Sequence, residues 1–426
     1  MVTVINNTES AIARGIREVG IGKKGSRPLT PEHIQEILAE LKSGTVPAVV
    51  KGAFFGSLVM KGITAEEKML DQAFAPGTLQ NIEQLVESIA FDAPHFAKQC
   101  CIHLLKNEEL DFKTSKKMGQ FLFSTLAGDG ARGIVASVLR VRYETPDEYA
   151  GLLQAMEETI EPGFRQIPLI SGISIQIAEP FDGVDHSNMI TPLLAQHLQT
   201  LNYHAFSLVG RNSGPKFFFN LLDIAQGLNA PFLCRGTESC APTFGCFINQ
   251  QDISKPIDHW VDLRRQIIKR PFLATLERFI NPVNADILIA SAFHPPYGEK
   301  MLTIAERAGF PAAIIVRNGI EGTIAFPLKR SVKMLCSAKQ TDGTYLRHEI
   351  EFNAEEYLKV TIAVEEKLEQ PSLAENIRLI ETYNREGKTN NELLDYRVKA
   401  TCAGIKMAIE WIEKNKAQQK GETNES

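Results

Sequence analysis

A polar turn at 181–192 holds the first residues whose types could do chemistry, and it runs into a stretch of helical pattern. Backbone N–H groups of such a turn and the helix dipole together favour a bound phosphate or carboxylate. The candidate ligand-binding residues are Asp182, Gly183, Asn188 and Thr191. The alternative is that Asn188 or Thr191 only caps the helix.

A second junction between a strand and a helix, at 208–216, combines glycines with cations. Its candidates for phosphate binding are Gly210, Arg211, Asn212 and Lys216. A guanidinium such as that of Arg211 can bind two phosphate oxygens at once. A solvated turn without a ligand stays the open alternative.

Two further segments carry charge. A basic helical pattern at 262–270 contains Arg264, Arg265, Lys269 and Arg270, which are phosphate-binding candidates or else an ordinary solvated face. The turn at 316–322 holds one carboxylate, Glu321. Magnesium is usually held by one or two carboxylates together with substrate phosphates, so Glu321 alone predicts at most a weak metal site.

The composition of the 426 residues indicates a folded globular protein with two domains, since 44% are hydrophobic and 23% charged. Every apolar run is shorter than the ~18 residues of a membrane span, and the first nine residues lack a signal pattern. The seven cysteines form no CxxC pair, which argues against a zinc site or a disulfide framework. We therefore expect a cytoplasmic protein without membrane contact.

Charge is unevenly distributed along the chain. The net charge is −5, which disfavours an obligate nucleic-acid binder. Residues 351–396, however, carry eleven acids against five bases, so the rest of the chain is close to neutral. A polyanionic partner, DNA or RNA, therefore stays possible on a locally basic surface.

Helical signals dominate the first part of the chain, which we predict as a helical domain, 1–165. Thr30 and Pro31 begin one helix, and two T-x-x-E capping boxes lie at 64–67 and 145–148. The stretches 29–67 and 113–148 align with each other and predict a duplicated helical unit. Two unrelated helical pieces with similar caps are the alternative.

From residue 166 onward, short apolar runs alternate with helical patterns. This alternation predicts an α/β domain, 166–412, with a mainly parallel sheet and flanking helices, followed by a polar tail, 413–426. Ligands in such folds lie beyond the carboxyl ends of the strands. The residues that directly follow each strand are therefore the first candidates for ligand binding.

Several blocks, in order, resemble the anthranilate phosphoribosyltransferase family. LKSGTVPAVVKGAFFGSLVMKGITAEE and YETPDEYAGLLQAM are similar to its helical domain, and DGVDHSNMIT and LVGRNSG fall at its GTGGDG–NxST and KHGNR loops. VDLRRQIIKRPFLATLERFINP resembles its arginine-bearing helix, and VRNGIEG falls at its metal-binding DGLDE turn. The resemblance implies the nucleoside phosphorylase/phosphoribosyltransferase type of fold and, for an active enzyme, phosphoribosyl pyrophosphate (PRPP), magnesium and anthranilate or a related acceptor.

This sequence departs from that family at the catalytic loops. Glu179 and Pro180 stand among the positions of the phosphate-binding glycines, and Gly322 replaces the second acid of the metal turn. Proline has no N–H to offer a phosphate. The departures imply a degraded transferase site, with an active transferase as the alternative.

The same departures resemble the YbiB-like branch of the family, whose VGIGK-type opening and NMITPLLA-type turn are also present here. That resemblance implies a homodimer that forms through the helical domain. It also implies that nucleic acid binds in the cleft that corresponds to the family's phosphoribosyl-binding cleft. A phosphorylated metabolite is the other candidate ligand. Because the helical unit is duplicated, its two copies could instead pair within one chain.

Overall fold

The computed structural model describes residues 9–22, 25–165, 172–214, 216, 218–233, 243–292 and 297–416. These residues form two compact units. The first comprises the described parts of Met1–Thr159 and Pro256–Leu276, together with 213–214, and the second comprises the remainder. Residues 256–276 thus belong to the first unit, although they lie within the predicted domain 166–412.

Helices build the first unit. They are α1 (Ala11–Val19), α2 (Pro31–Lys42), α3 (Ala48–Lys61), α4 (Ile82–Ile89), α5 (His95–Leu105), α6 (Phe112–Leu122), α7 (Asp129–Arg142), α8 (Pro146–Glu157), and, from the later segment, α13 (Lys255–Ile267) and α14 (Leu273–Leu276). Short 3-10 helices span Glu67–Ala73 and Thr78–Gln80. Thr30 caps α2, and Thr145 opens α8 with a full capping box, as their sequence signals predict.

The first unit contains two copies of one helical pattern. α7 begins and ends 81 positions after α3. The carboxylate of Glu67 accepts hydrogen bonds from the amides of Leu29, at 3.0 Å, and Thr64, at 2.9 Å. Glu148, 81 positions on, accepts the equivalent bonds from Leu110 and Thr145, at 3.0 and 2.8 Å. The second copy therefore starts at Leu110 rather than at 113, and both copies have the same length.

The two copies pack on each other through α3 and α7. A Cβ at Gly52 would lie 2.1 Å from the Gly130 carbonyl oxygen, and a Cβ at Gly133 would lie 2.1 Å from the Val49 carbonyl oxygen. Gly133 and Gly130 are the 81-position counterparts of Gly52 and Val49, so the two helices cross with approximate twofold symmetry. Seven apolar side chains of α3 and α7 are at most 1% exposed: Phe54, Phe55, Leu58, Ile134, Val135, Val138 and Leu139.

A seven-stranded sheet forms the second unit, in the order β3-β2-β1-β4-β5-β6-β7. The strands are β1 (Ser174–Ala178), β2 (His204–Val209), β3 (Cys246–Asn249), β4 (Ile287–Ala292), β5 (Ala312–Arg317), β6 (Val332–Lys339) and β7 (Tyr345–Phe352). The first five are parallel, and β6 and β7 are antiparallel. The predicted mainly parallel α/β sheet with a helical N-terminal region is confirmed.

Flanking helices cover this sheet. They are α9 (Pro162–Arg165), α10 (Thr191–Thr200), α11 (Leu221–Gly227), α12 (Gln250–Ile253), α15 (Tyr297–Arg307), α16 (Ala354–Leu358), α17 (Leu373–Glu386) and α18 (Glu392–Asn415), with a 3-10 turn at Ile320–Gly322. α15 packs on β4, β5 and β6, and α18 on β6. α18 includes the first three residues of the predicted tail, and the tail beyond 416 lies outside the described residues. Among the described helices, none is both long and apolar enough to cross a membrane.

Candidate functional site

Loops at the carboxyl ends of β1, β2 and β5 meet in the second unit. Asn220, which caps α11, donates from its side-chain amide to the carbonyl oxygens of Phe181, at 2.8 Å, and Gly210, at 2.9 Å. Gly183 has φ +70°, and a Cβ there would lie 2.0 Å from the Phe219 carbonyl oxygen. Glycine is therefore required at 183 by close packing of the two loops. Asn220 thus fixes the turn after β1 against the loop after β2.

Glu179 lies directly after β1 and is only 1% exposed. The Thr191 hydroxyl donates to its Oε1 at 2.8 Å, and the Ile324 amide donates to its two oxygens at 3.2 and 3.1 Å. Burial raises the pKa of Glu179 to about 7, while these hydrogen bonds and the nearby charges of Arg278 and Lys216 oppose the rise. The Thr191 hydroxyl, a predicted ligand group, is already engaged by this carboxyl.

Glu321, in the turn after β5, accepts hydrogen bonds from three groups of the turn after β1. The Asp185 and His186 amides donate at 2.9 and 2.8 Å, and the Ser187 hydroxyl donates at 2.8 Å. Lys216, from the loop after β2, places its Nζ 2.9 Å from Oε2 of Glu321 and donates to its main-chain oxygen at 2.8 Å. One carboxylate therefore joins the three loops.

These donors also decide the charge state of Glu321. Burial alone would raise its pKa, but hydrogen bonds from the Asp185 amide, Lys216 and Ser187 outweigh it, and the pKa lies below the ordinary value. The Lys216 and Glu321 side chains are only 15% and 14% exposed. They form a mostly buried ion pair between two loops of the sheet.

Magnesium does not fit the described residues of this turn. The Lys216 ammonium already supplies the positive charge next to Glu321, and hydrogen bonds engage both of its oxygens. Within the described part of the chain, no cluster of three or more histidine, cysteine or acidic side chains could hold a metal.

The other predicted residues divide between the two units. Asp182 and Asn188 are buried in the turn after β1, at 4% and 3% exposure, and Arg211 and Asn212 are partly exposed in the loop after β2. The four basic candidates of segment 262–270 lie in the first unit. There Arg264 is buried, at 3% exposure, Lys269 is partly exposed, and Arg265 and Arg270 are exposed.

Asn220 and Arg278 are site residues that the sequence did not reveal. The spacing Asn220-x-x-Asp223 is a capping-box pattern that could have shown where α11 begins, but it says nothing about the two carbonyl groups that Asn220 contacts. Arg278 donates to the Ser291 carbonyl oxygen at 2.8 Å and contributes its charge near Glu179. No local pattern marks that role.

Comparisons with known proteins define the fold. No protein-family profile matches the chain. An uncharacterized protein of Aquifex aeolicus is 22% identical over 189 residues, a match that spans 44% of this chain and only 55% of that protein.

Two solved structures are similar over most of their length. Anthranilate phosphoribosyltransferase (TrpD) from Thermus thermophilus has a TM-score of 0.55 and 19% identity, covering 73% of this chain and 89% of that one. The Saccharomyces cerevisiae enzyme in complex with PRPP and Mg has a TM-score of 0.57 and 13% identity, covering 75% and 92%. The chain therefore has the fold of anthranilate phosphoribosyltransferases.

Proposed function

We propose that this chain is a phosphoribosyltransferase-like protein that does not transfer phosphoribose and instead binds a phosphate-bearing ligand. The Lys216–Glu321 ion pair is the observation that supports the absence of phosphoribosyl transfer. In the similar yeast enzyme the ligands are PRPP and Mg. Phosphoribosyl transfer needs magnesium to neutralise the departing pyrophosphate, and here a lysine takes the position next to the remaining acid.

The turn after β1 that begins with Glu179 and Pro180, called the phosphate turn below, supports the same proposal. Glu179 stands where the resemblance implies backbone-exposing glycines, and it binds the Thr191 hydroxyl and the Ile324 amide. With a pKa of about 7, its carboxyl is partly ionised near neutral pH and would repel a pyrophosphate. Pro180 follows with no N–H to donate. An active transferase, the alternative, requires Lys216 to leave Glu321 and Glu179 to leave its partners.

The second half of the proposal is a cationic binding surface on the first unit. Arg265 and Arg270 are exposed, and Lys269 lies beside them. Acidic residues concentrate instead at 351–396. A local positive field can therefore attract nucleic acid or another phosphate-bearing ligand although the net charge is −5.

A salt titration of nucleic-acid binding tests this surface. We expect retention of single- and double-stranded DNA at ~50 mM salt that weakens steeply as salt rises, with a slope of roughly 0.9 per phosphate contact for the duplex. Replacing Arg265 and Arg270 by alanine should lower affinity similarly for all sequences and flatten the slope, because phosphate contacts carry no sequence information.

The matched control replaces two exposed lysines of the same unit, Lys42 and Lys68, and removes the same charge. It should leave the slope close to that of the wild type. Equal effects in both variants would mean that binding depends on the net charge and not on this particular surface. Absence of binding at ~50 mM salt would exclude nucleic acid as the ligand.

For assembly, we propose that the duplicated helical unit pairs with itself inside one chain and that the protein is a monomer. The support is the close crossing of α3 and α7, in which Gly52 and Gly133 each lie against the main chain of the other copy's helix, and the burial of the apolar side chains of both helices within one chain. A homodimer through the helical domain, which the family resemblance implies, would have to use a different surface.

A further inference from the structure

A cavity of about 360 Å³ opens in the second unit between α10, α16, α17 and α18. None of the described residues that line it belongs to the contacts of Glu321 with its three loops. Pockets that bind small molecules enclose roughly 300–1,000 Å³. The cavity is therefore large enough for a small organic ligand, and the candidate site does not account for it.

The helices α10 and α18 form the two long walls of this cavity. Each contributes four side chains at the spacing i, i+3, i+4 and i+7: Leu193, Gln196, His197 and Thr200 from α10, and Lys399, Cys402, Ala403 and Lys406 from α18. This spacing places four side chains on one helix face over roughly 10 Å. The helices run in the same direction, since His197 lies near Lys406 and the Tyr203 hydroxyl donates to Glu413 at 2.7 Å. Two matched helix faces therefore border one elongated space.

Aromatic and apolar side chains supply the rest of the described lining. Val398, like Leu193, is buried. Tyr357 is 55% exposed, and its ring contacts the Phe352 ring with the two centroids 5.3 Å apart. A tyrosine that lines a cavity and keeps half of its surface exposed offers a ring face to a planar group. The lining therefore suits an aromatic ring.

Charge in the lining is positive. Lys399 and Lys406 line the cavity, and no carboxylate is found among the described residues that do so. Lys406 forms an ion pair with Glu410, which lies outside the lining. Lys399 is exposed, and within the described part of the chain it has no acidic partner. Its ammonium is therefore the group that a bound anion would meet.

Three other polar side chains of the lining are neutral near pH 7. Burial, and then the charge of Lys406, lower the pKa of His197 below its ordinary 6.5. Burial raises the pKa of the Tyr383 phenol to about 12, and it raises the pKa of the Cys402 thiol to about 12 as well. None of these three groups carries a negative charge that would repel an anion.

We infer that this cavity binds a small organic anion, in which an aromatic ring lies against Tyr357 and Val398 and an acid group pairs with Lys399. The acid group is a carboxylate or a phosphate monoester, since both pair with an ammonium. This inference does not rest on the proposed function, because the cavity lies in the second unit and the cationic surface lies in the first.

A ligand-observed NMR titration with simple probes tests the cavity. Naphthoate combines a ring with an acid group and should bind with a Kd on the order of 1 mM or below. Naphthalenemethanol has the ring without the charge and should bind about threefold more weakly or worse. Acetate has the charge without the ring and should show no saturable binding in the same range. Naphthyl phosphate, if it binds more tightly than naphthoate, assigns the acid group to a phosphate, and the reverse order assigns it to a carboxylate.

Two substitutions on α18 locate the site. Lys399→Gln should weaken naphthoate binding by about threefold to fivefold and leave naphthalenemethanol binding unchanged, because only the charged contact is lost. Ala403→Trp should abolish binding of both probes, since its indole ring would occupy the space between the two helices. Without a probe its Tm should equal or exceed that of the wild type, because a side chain that fills a cavity adds apolar contact.

Lys414→Gln and Met407→Trp are the matched controls. Each makes the same change at an exposed position of α18 that does not line the cavity, and both variants should bind naphthoate like the wild type. Equal binding of naphthoate and naphthalenemethanol by the wild type would overturn the inference, as would an unchanged affinity in Lys399→Gln. An equal loss in Lys414→Gln and Lys399→Gln would also overturn it, because binding would then follow the net charge.

Discussion

Leucine at Gly52 or at Gly133 is expected to lower the free energy of unfolding by on the order of 3 kcal/mol or more, by similar amounts at both positions. A Cβ at either glycine would lie 2.1 Å from a main-chain oxygen of the opposite helix, so α3 and α7 would have to separate. Gly44→Leu is the control, because nothing lies within 4 Å of its Cβ position and only its φ of +76° opposes a side chain. It should cost about 1 kcal/mol. Denaturant unfolding measures all three.

The same experiment addresses assembly. If the two helical copies pair within one chain, the unfolding midpoints should not change with protein concentration, and light scattering should give the mass of one chain at micromolar concentration. A dimer mass with a concentration-dependent midpoint would contradict the intrachain arrangement. Clearly unequal losses for the two leucine variants would contradict the symmetric crossing.

Glu179→Gln is expected to gain stability relative to the wild type as pH rises. The folded pKa of Glu179 is raised to about 7 from the ordinary 4.5, so the folded state holds a proton that the unfolded chain releases. This carboxyl therefore contributes to stability below about pH 4.5, and its contribution falls until about pH 7. The difference between variant and wild type should grow by about 3 kcal/mol over that window, since one pKa unit corresponds to about 1.4 kcal/mol.

Unfolding midpoints at pH 4.5, 6 and 8 measure this difference, and other titrating groups cancel because both proteins contain them. Parallel stability curves for the two proteins would show that Glu179 ionises normally. That result would remove the buried neutral carboxyl from the description of the phosphate turn.

Local patterns in the sequence predicted much of the architecture. The apolar runs 205–209, 287–291 and 312–316 predict strands, and β2, β4 and β5 each lie within one residue of these ranges. The helical pattern over 215–228 predicts a helix there, but the helix in the described residues begins only at Leu221, because Asn220 caps it. The short apolar run 232–234 predicts a strand, but the described residues show only a single bridge from Phe232 to Phe247.

The sequence does not reveal the antiparallel pair β6 and β7, for a physical reason. β7 is an edge strand whose side chains are mostly exposed, so its polar sequence carries little of the apolar alternation that marks a half-buried strand. β6 lies within a locally basic stretch, although six of its eight residues are buried. The two strands form because they pair with each other, and neither sequence alone predicts its strand.

The loops of the candidate site were predictable, but their contacts were not. Each loop follows a strand, and parallel strands bring their carboxyl ends to one edge. The ion pair between Lys216 and Glu321 joins residues 105 positions apart, and the bond from Ile324 to Glu179 spans 145 positions. No spacing rule reports such pairs. The sequence therefore indicates that these loops differ from the catalytic loops of the family. It does not indicate that Glu179 and Glu321 accept hydrogen bonds from groups of the same loops.

The most direct test of the account is an assay of the purified protein with PRPP, magnesium and anthranilate, followed by the loss of anthranilate fluorescence. We expect no turnover above background, because Lys216 neutralises Glu321 and Glu179 occupies the phosphate turn. The same mixture in a calorimeter should show no magnesium-dependent binding of PRPP. Robust magnesium-dependent consumption of anthranilate would contradict the account and establish the chain as an active phosphoribosyltransferase.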